Sequence, residues 1–413
     1  MKFRSRALAL ALALLIVSEL LGVVGVADYG HGVLIRFLNP GNAFFGAAGL
    51  GAFWLFATDR PPRRDLVLAV ATGLLAELAL ARWRSGTEGG SVGQGVGIGL
   101  ALGGALVVLV RYARGRGEAR AKYATLLSEM AMLPVFILLT GILLRFTITL
   151  HPSVLDTNVF AAEVGLGADT GFRLARWVQG DDAVAWILLV TYVLLPLAVA
   201  ITYAAERSRG RSHGDVLAAF VVAGAFGYLA YNLCPVVGPR YFFRSSWPTR
   251  APDVATLALG FLPYPFGEPR NCVPSLHTSW ALLIFWRAKA LGPGLRAFST
   301  AFLILTIGAT IGLGFHYVVD VAMAFPFSLA IHAALSRVRA TSTARRDALV
   351  FGALLTVTWL VALRFGASFM ARHAAWSAVL CAASAVGAWL LEMRLFRSSE
   401  PATHGPVSPA SPT

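Results

Sequence analysis

The sequence predicts an all-α, polytopic transmembrane helical bundle of about twelve spans, and three observations predict it. Of 413 residues, 57% are hydrophobic and only 14% charged, where a soluble domain carries about a quarter charged. Mean hydropathy is +0.68, and apolar runs of membrane-crossing length recur from end to end. The net charge of +14 falls in short arginine clusters between those runs. That is the pattern of cytoplasmic loops, not of a nucleic-acid surface, so no nucleic-acid partner is expected.

Spans are expected near 7–27, 42–58, 65–81, 92–112, 126–149, 183–204, 215–234, 275–290, 296–314, 317–336, 347–364 and 374–396. Lys2, Arg4 and Arg6 precede the first, which sets the N-terminus inside. Alternate loops should then be basic, and they are. Arg60/Arg63/Arg64, the Arg111–Lys122 stretch, Arg207/Arg209/Arg211, Arg287/Lys289/Arg296, Arg337/Arg339/Arg345/Arg346 and Arg394/Arg397 all fall on the same side. Both termini are therefore expected in the cytoplasm. The run ending at Gly25-Val26-Ala27 is longer than a signal-peptide core and is read as a retained helix. An arginine-rich, lysine-poor composition points to a bacterial inner membrane.

Five parts follow. Residues 1–150 hold N-terminal transmembrane helices of unknown role. Residues 151–182 form an extracytoplasmic segment whose Phe172 and Trp177 suggest a helix lying in the interface. Residues 183–340 carry the chemistry, 341–397 hold C-terminal transmembrane helices, and the Ser- and Pro-rich 398–413 tail is expected to be disordered. Within the core, the proline-dense, aromatic stretch 235–274 is too broken for a regular helix and long enough to be functional.

Ionisable residues at membrane depth are costly and commonly functional. Two clusters meet the extracytoplasmic face: Arg270-Asn271-Cys272-Val273-Pro274-Ser275-Leu276-His277 and Gly314-Phe315-His316-Tyr317-Val318-Val319-Asp320. If the second is helical, His316 and Asp320 share a face one turn apart. The carboxylate then accepts a hydrogen bond from one imidazole N–H, which fixes the tautomer and leaves the other nitrogen as nucleophile. His277 suits a general acid, Pro274 a first helical turn, and Ser275 with nearby backbone N–H groups an anion site. The competing readings are packed, hydrogen-bonded histidines and a metal site. No third metal ligand stands at standard spacing, so no metal is expected. Cys234 and Cys272 bracket the long outer loop and could pair in an oxidising compartment.

Pro274-Ser275-Leu276-His277 and His316-Tyr317-x-x-Asp320 resemble the second and third motifs of the type 2 phosphatidic acid phosphatase superfamily. More narrowly, they resemble its inositolphosphorylceramide synthase-like branch, related to the sphingomyelin synthases. The resemblance covers roughly residues 183–340. It implies a helical catalytic core without metal or cofactor, with His316 as nucleophile, Asp320 as its orienting partner and His277 as general acid. Two departures stand out. Position 310 is Thr where lipid phosphatases carry an arginine, and Cys234-Pro235-Val236-Val237-Gly238-Pro239-Arg240-Tyr241 replaces their first motif. Arg240 and Arg270 become the candidate phosphate grips, with Ser275 and Tyr241 beside them. The expected activity moves a phospho-alcohol headgroup, such as phosphoinositol, from a membrane phospholipid donor to a lipid acceptor hydroxyl. The alternatives are a lipid phosphate phosphatase and, from another class, a transporter or scaffold with a vestigial site.

Overall fold

In a computed structural model the protein is described over residues 2–23, 43–85, 96–167, 169–210, 216–336 and 342–397. The expected tail at 398–413 and the Gly25-Val26-Ala27 stretch lie outside these residues. Helices α1 (Lys2–Val23), α2 (Ala43–Thr58), α3 (Arg63–Ser85), α4 (Val96–Arg114) and α5 (Gly117–Leu150) form the N-terminal part. Small residues let these helices touch backbone to backbone. A Cβ on Gly97 would stand 1.9 Å from Gly46 O, and one on Gly103 would stand 2.1 Å from Ala69 O. Without water to squeeze out, such close packing is the main attraction between helices in lipid.

The outer segments follow. A two-residue strand β1 (Ser153–Val154) pairs antiparallel with β2 (Leu262–Pro263), joining the two long extramembrane stretches. Leu155 N–H donates to Pro235 O at 2.8 Å and Tyr264 N–H to Pro152 O at 2.9 Å, which tightens that junction. Between the strands run α6 (Asp156–Ala162), α7 (Thr170–Gln179), α8 (Asp182–Val193), α9 (Leu195–Ser208), α10 (Val216–Leu233) and the five-residue α11 (Pro239–Phe243). The expected interfacial helix is two helices. Every residue of α6 is buried, so it is a core element. In α7 the residues Gly171, Phe172, Ala175 and Val178 pack inward, while Trp177 is exposed.

Helices α12 (Leu276–Ala288), α13 (Pro293–Gly312), α14 (Val318–Leu335), α15 (Ser342–Phe365), α16 (Ala367–Arg372) and a final helical stretch, residues 374–397, complete the chain. Where its residues are described, each expected span falls largely on helix, and 183–204 covers two helices, α8 and α9. Among the described residues, however, only seven helices are long and apolar enough to cross a membrane, or eight if α8 and α9 count as one. Those two bend by 53° where Pro196, lacking an N–H, opens the second. Helix α2 has 16 residues and α12 only 13, and α3 carries Asp65 and Glu77 on its apolar face.

The arginine-bearing loops are tied into one end of the bundle by ion pairs. Lys122 meets Asp59 at 2.9 Å, Arg207 meets Glu129 at 2.7 Å, Arg287 meets Glu206 at 2.9 Å, and Lys289 meets the buried Glu392.

Candidate active site

The site begins with a glycine. Gly238 sits at φ +100°, and a Cβ there would stand 2.4 Å from Phe315 O, so no other residue fits. Asp156 holds this turn from below. Its carboxylate accepts Val237 N–H at 3.1 Å, Gly238 N–H at 2.9 Å and the Tyr317 hydroxyl at 3.0 Å. Burial pushes the Asp156 carboxyl up to about 7, against those three donors, which pull it down. Arg240 N–H then donates to Gly314 O at 3.0 Å. The loop is thereby laid against residues 314–315, and the Arg240 guanidinium stands 5.9 Å from the Phe315 ring centre. Arg240 is exposed. Tyr241 stacks on the same Phe315 ring at 6.3 Å.

His316 is the next residue. Its backbone N–H donates to Thr310 O at 2.9 Å, turning the chain out of α13. Helix α14 starts only at Val318, with Tyr317 extended before it. The His–Asp pair therefore bridges a helix start and is not one turn of a continuous helix. His316 Nδ1 lies 3.0 Å from Asp320 Oδ2 and 3.0 Å from Cys272 O. With Cys272 Sγ at 3.5 Å as well, all three of these ring contacts fall on Nδ1, which leaves Nε2 open. Asp320 is fully buried and His316 nearly so.

Cys272 is the residue that sequence reasoning missed. Its thiol donates to Asp320 Oδ2 at 2.8 Å, the same oxygen that faces His316. Burial and the Asp320 charge push the thiol well above its ordinary pKa, so it stays a donor. Both Cys234 and Cys272 are free, so the pairing that their positions allow is not formed. Cys272 also supplies the third metal donor that spacing did not reveal, since its sulfur, His316 and Asp320 gather within 4.8 Å. The separations of 2.8 and 3.0 Å to Asp320 are hydrogen-bond lengths, whereas donors around one zinc ion stand roughly 3.4 Å apart. As placed, the three form a hydrogen-bonded relay.

His277 enters from α12. Ser275 caps that helix: its hydroxyl accepts Thr278 N–H at 3.4 Å and donates to Thr278 Oγ1 at 3.0 Å. Pro274 precedes the cap and so is not in the first turn. The buried Ser275 hydroxyl is thus occupied by its own helix, and its N–H donates to Asp320 O at 3.3 Å, so neither group faces an anion. The His277 ring stacks on Tyr192 at 3.6 Å and meets Trp280 edge-on at 5.9 Å. Tyr192 in turn leans on Phe315 at 4.9 Å, which links the two histidine segments through one aromatic wall. His277 Nε2 is buried without a hydrogen-bond partner among the described residues.

Arg270 does not join them as a phosphate grip. Its side chain is buried and its guanidinium donates to His151 O at 3.0 Å, Phe266 O at 3.1 Å, Tyr264 O at 2.9 Å and Glu268 O. These carbonyls consume four of its five donors. Arg270 is a staple for the 264–270 loop. Sequence alone cannot separate it from Arg240, because both flank the motifs. The contribution of Tyr192 was equally invisible, since it sits in an apolar helix with no motif.

No curated protein and no solved structure matches the chain. The family model of the PAP2 superfamily, whose members are phosphatases or phosphotransferases, matches residues 157–334. That stretch is less than half of the chain, yet it contains Tyr192, Arg240, Cys272, His277, His316 and Asp320. In that region the protein is similar to an enzyme family that works on phosphate esters at membranes.

Proposed function

We propose that the protein is a membrane lipid phosphotransferase that moves a phospho-alcohol headgroup from a phospholipid to a lipid hydroxyl. The observation that carries this reading is His316 held at Nδ1 by Asp320 and Cys272 O, beside an unpartnered His277 on a shared aromatic wall. His316 Nε2 attacks phosphorus and a P–N bond forms. The P–O bond to the diacylglycerol oxygen breaks, and His277 gives that oxygen its proton. The acceptor hydroxyl then attacks phosphorus, His277 takes its proton, and the P–N bond breaks. Asp320 holds the imidazole tautomer and stabilises the positive ring that forms. Exposed Arg240 is placed to take a phosphate oxygen.

Hydrolysis needs only water in place of the acceptor. Thr310 favours transfer of a diester over hydrolysis of a monoester. It is fully buried where a lipid phosphatase has an arginine, so one positive charge for a dianionic phosphate is absent from that position. Phosphoinositol is the headgroup favoured by the motif resemblance. The basic, ion-paired end is read as cytoplasmic and the histidine end as extracytoplasmic, with both termini inside a bacterial inner membrane.

The test is to incubate purified full-length protein with mixed phospholipids and a lipid alcohol, and to follow products by mass spectrometry. A new phosphodiester lipid that disappears with His316→Ala is the expected result. A free phospho-alcohol released from a diester, or inorganic phosphate released from phosphatidic acid in the mixture, would replace transfer by hydrolysis. Product formation unaffected by His316→Ala would remove the mechanism.

A further inference from the structure

The N-terminal helices lie outside the matched region, yet one of their side chains reaches the site. Phe44, at the start of α2, stands 5.6 Å from the His277 ring and 5.8 Å from the Tyr192 ring. Its position follows from how α2 docks. Two turns further along, Gly51 faces the bend between α8 and α9, where a Cβ would stand 3.1 Å from Pro196 O and 3.2 Å from Ala200 Cβ. That close approach fixes α2 against the bend, and Tyr192 lies just before the bend on α8. Phe44, Tyr192 and His277 are each only half-buried, so the rings are not sealed inside the core. Arg240 lies at the far side of the same wall, beyond Phe315.

We infer that Phe44 is a specificity-determining residue: it covers the acid His277 and packs against the leaving alcohol, so that α2 completes the active site. This rests on the lipid-ester reading above. A general acid must touch the oxygen that departs. The ring over that acid therefore meets the first carbons of the leaving group, while the headgroup phosphate sits towards Arg240. An apolar ring there favours a diacylglycerol leaving group over a bare polyol, because only the former gains by burial against it.

Two measurements on the reconstituted full chain test this. Carbethoxylation of His277 by diethyl pyrocarbonate, followed by peptide mass spectrometry, needs no turnover. Phe44→Ala should raise the labelling rate about fivefold and Phe44→Leu less. Turnover is compared between phosphatidylinositol and its deacylated counterpart, glycerophosphoinositol. Phe44→Ala should lower kcat/KM about tenfold for the first and under twofold for the second, with Phe44→Leu intermediate. Unchanged labelling overturns the cover. Equal losses on both donors, or none on either, overturn the specificity role. Wild-type protein inert on both donors sinks the lipid-ester reading and the leaving-group role with it, and labelling then decides by itself whether α2 covers His277.

Discussion

The two ends of the bundle hold buried ionisable groups in opposite ways. At the basic end the charges are matched across helices: Arg207 with Glu129, Arg287 with Glu206, Lys289 with Glu392. At the other end His316 is held on one nitrogen only, and His277 is wrapped in aromatic rings with Nε2 unpartnered. A charge paired across helices acts as a strut, whose removal leaves its partner buried and uncompensated. A titratable group oriented on one side and open on the other is arranged for proton or group transfer. On the proposed function, the difference separates buried polar residues that serve the fold from those that serve the reaction.

Mutations at the two ends should therefore separate in what they change. The largest effect expected is from His316→Ala, which removes the proposed nucleophile and should lower kcat by about 10⁴-fold or more. Intact turnover in that variant would erase the contrast. Next comes the opposite end. Lys289→Met leaves Glu392 buried without its ion pair and should cost about 3–5 kcal/mol of stability, while kcat of the folded fraction stays near wild type. Thermal unfolding in detergent, paired with active-site titration, would show it. A kcat loss at full stability would make this end part of the site.

A smaller effect is expected at Cys272. Cys272→Ala removes one hydrogen bond to Asp320, worth about 1 kcal/mol and so roughly fivefold in kcat. Cys272→Ser keeps a donor and should recover most of it, with the pH profile of kcat returning towards wild type. Equal behaviour of Ala and Ser would reduce Cys272 to packing. The effect expected to touch turnover least concerns Asp156. Its carboxyl is raised to about 7 from 3.8, so the fold prefers the protonated form. The stability this contributes is complete below about pH 3.8 and is lost as pH rises through about 7. Exchange of the Gly238 amide, corrected for its intrinsic rate, should quicken across that window. Asp156→Asn should flatten the dependence.

Several parts of this were legible in the sequence. Apolar runs and alternating arginine clusters marked the helices, and His277, His316 and Asp320 stood out because ionisable residues are scarce in such company. The proline-dense 235–274 stretch is indeed without a long helix. Other expectations failed for identifiable reasons. Arg270 and Arg240 have the same side chain near the same motifs, and only the carbonyls around Arg270 show that its donors are taken. Ser275 looked like an anion donor until its capping bond to Thr278 was seen. Whether Cys272 is bridged stayed open in the sequence, because spacing cannot tell a bridging thiol from a hydrogen-bonding one.

The sequence by itself determined where helices form and which ionisable residues stand out as candidates, because apolar run length and the cost of charge in lipid are properties of local composition. Tertiary structure alone decided that Cys272 joins the His316–Asp320 pair, that Tyr192 and Phe44 enclose His277, and that Arg240 rather than Arg270 faces outward. The Cys272, Tyr192 and Phe44 contacts join residues 48 to 233 positions apart, while Arg270 is held by nearby loop carbonyls and by His151, and no pattern of composition encodes either.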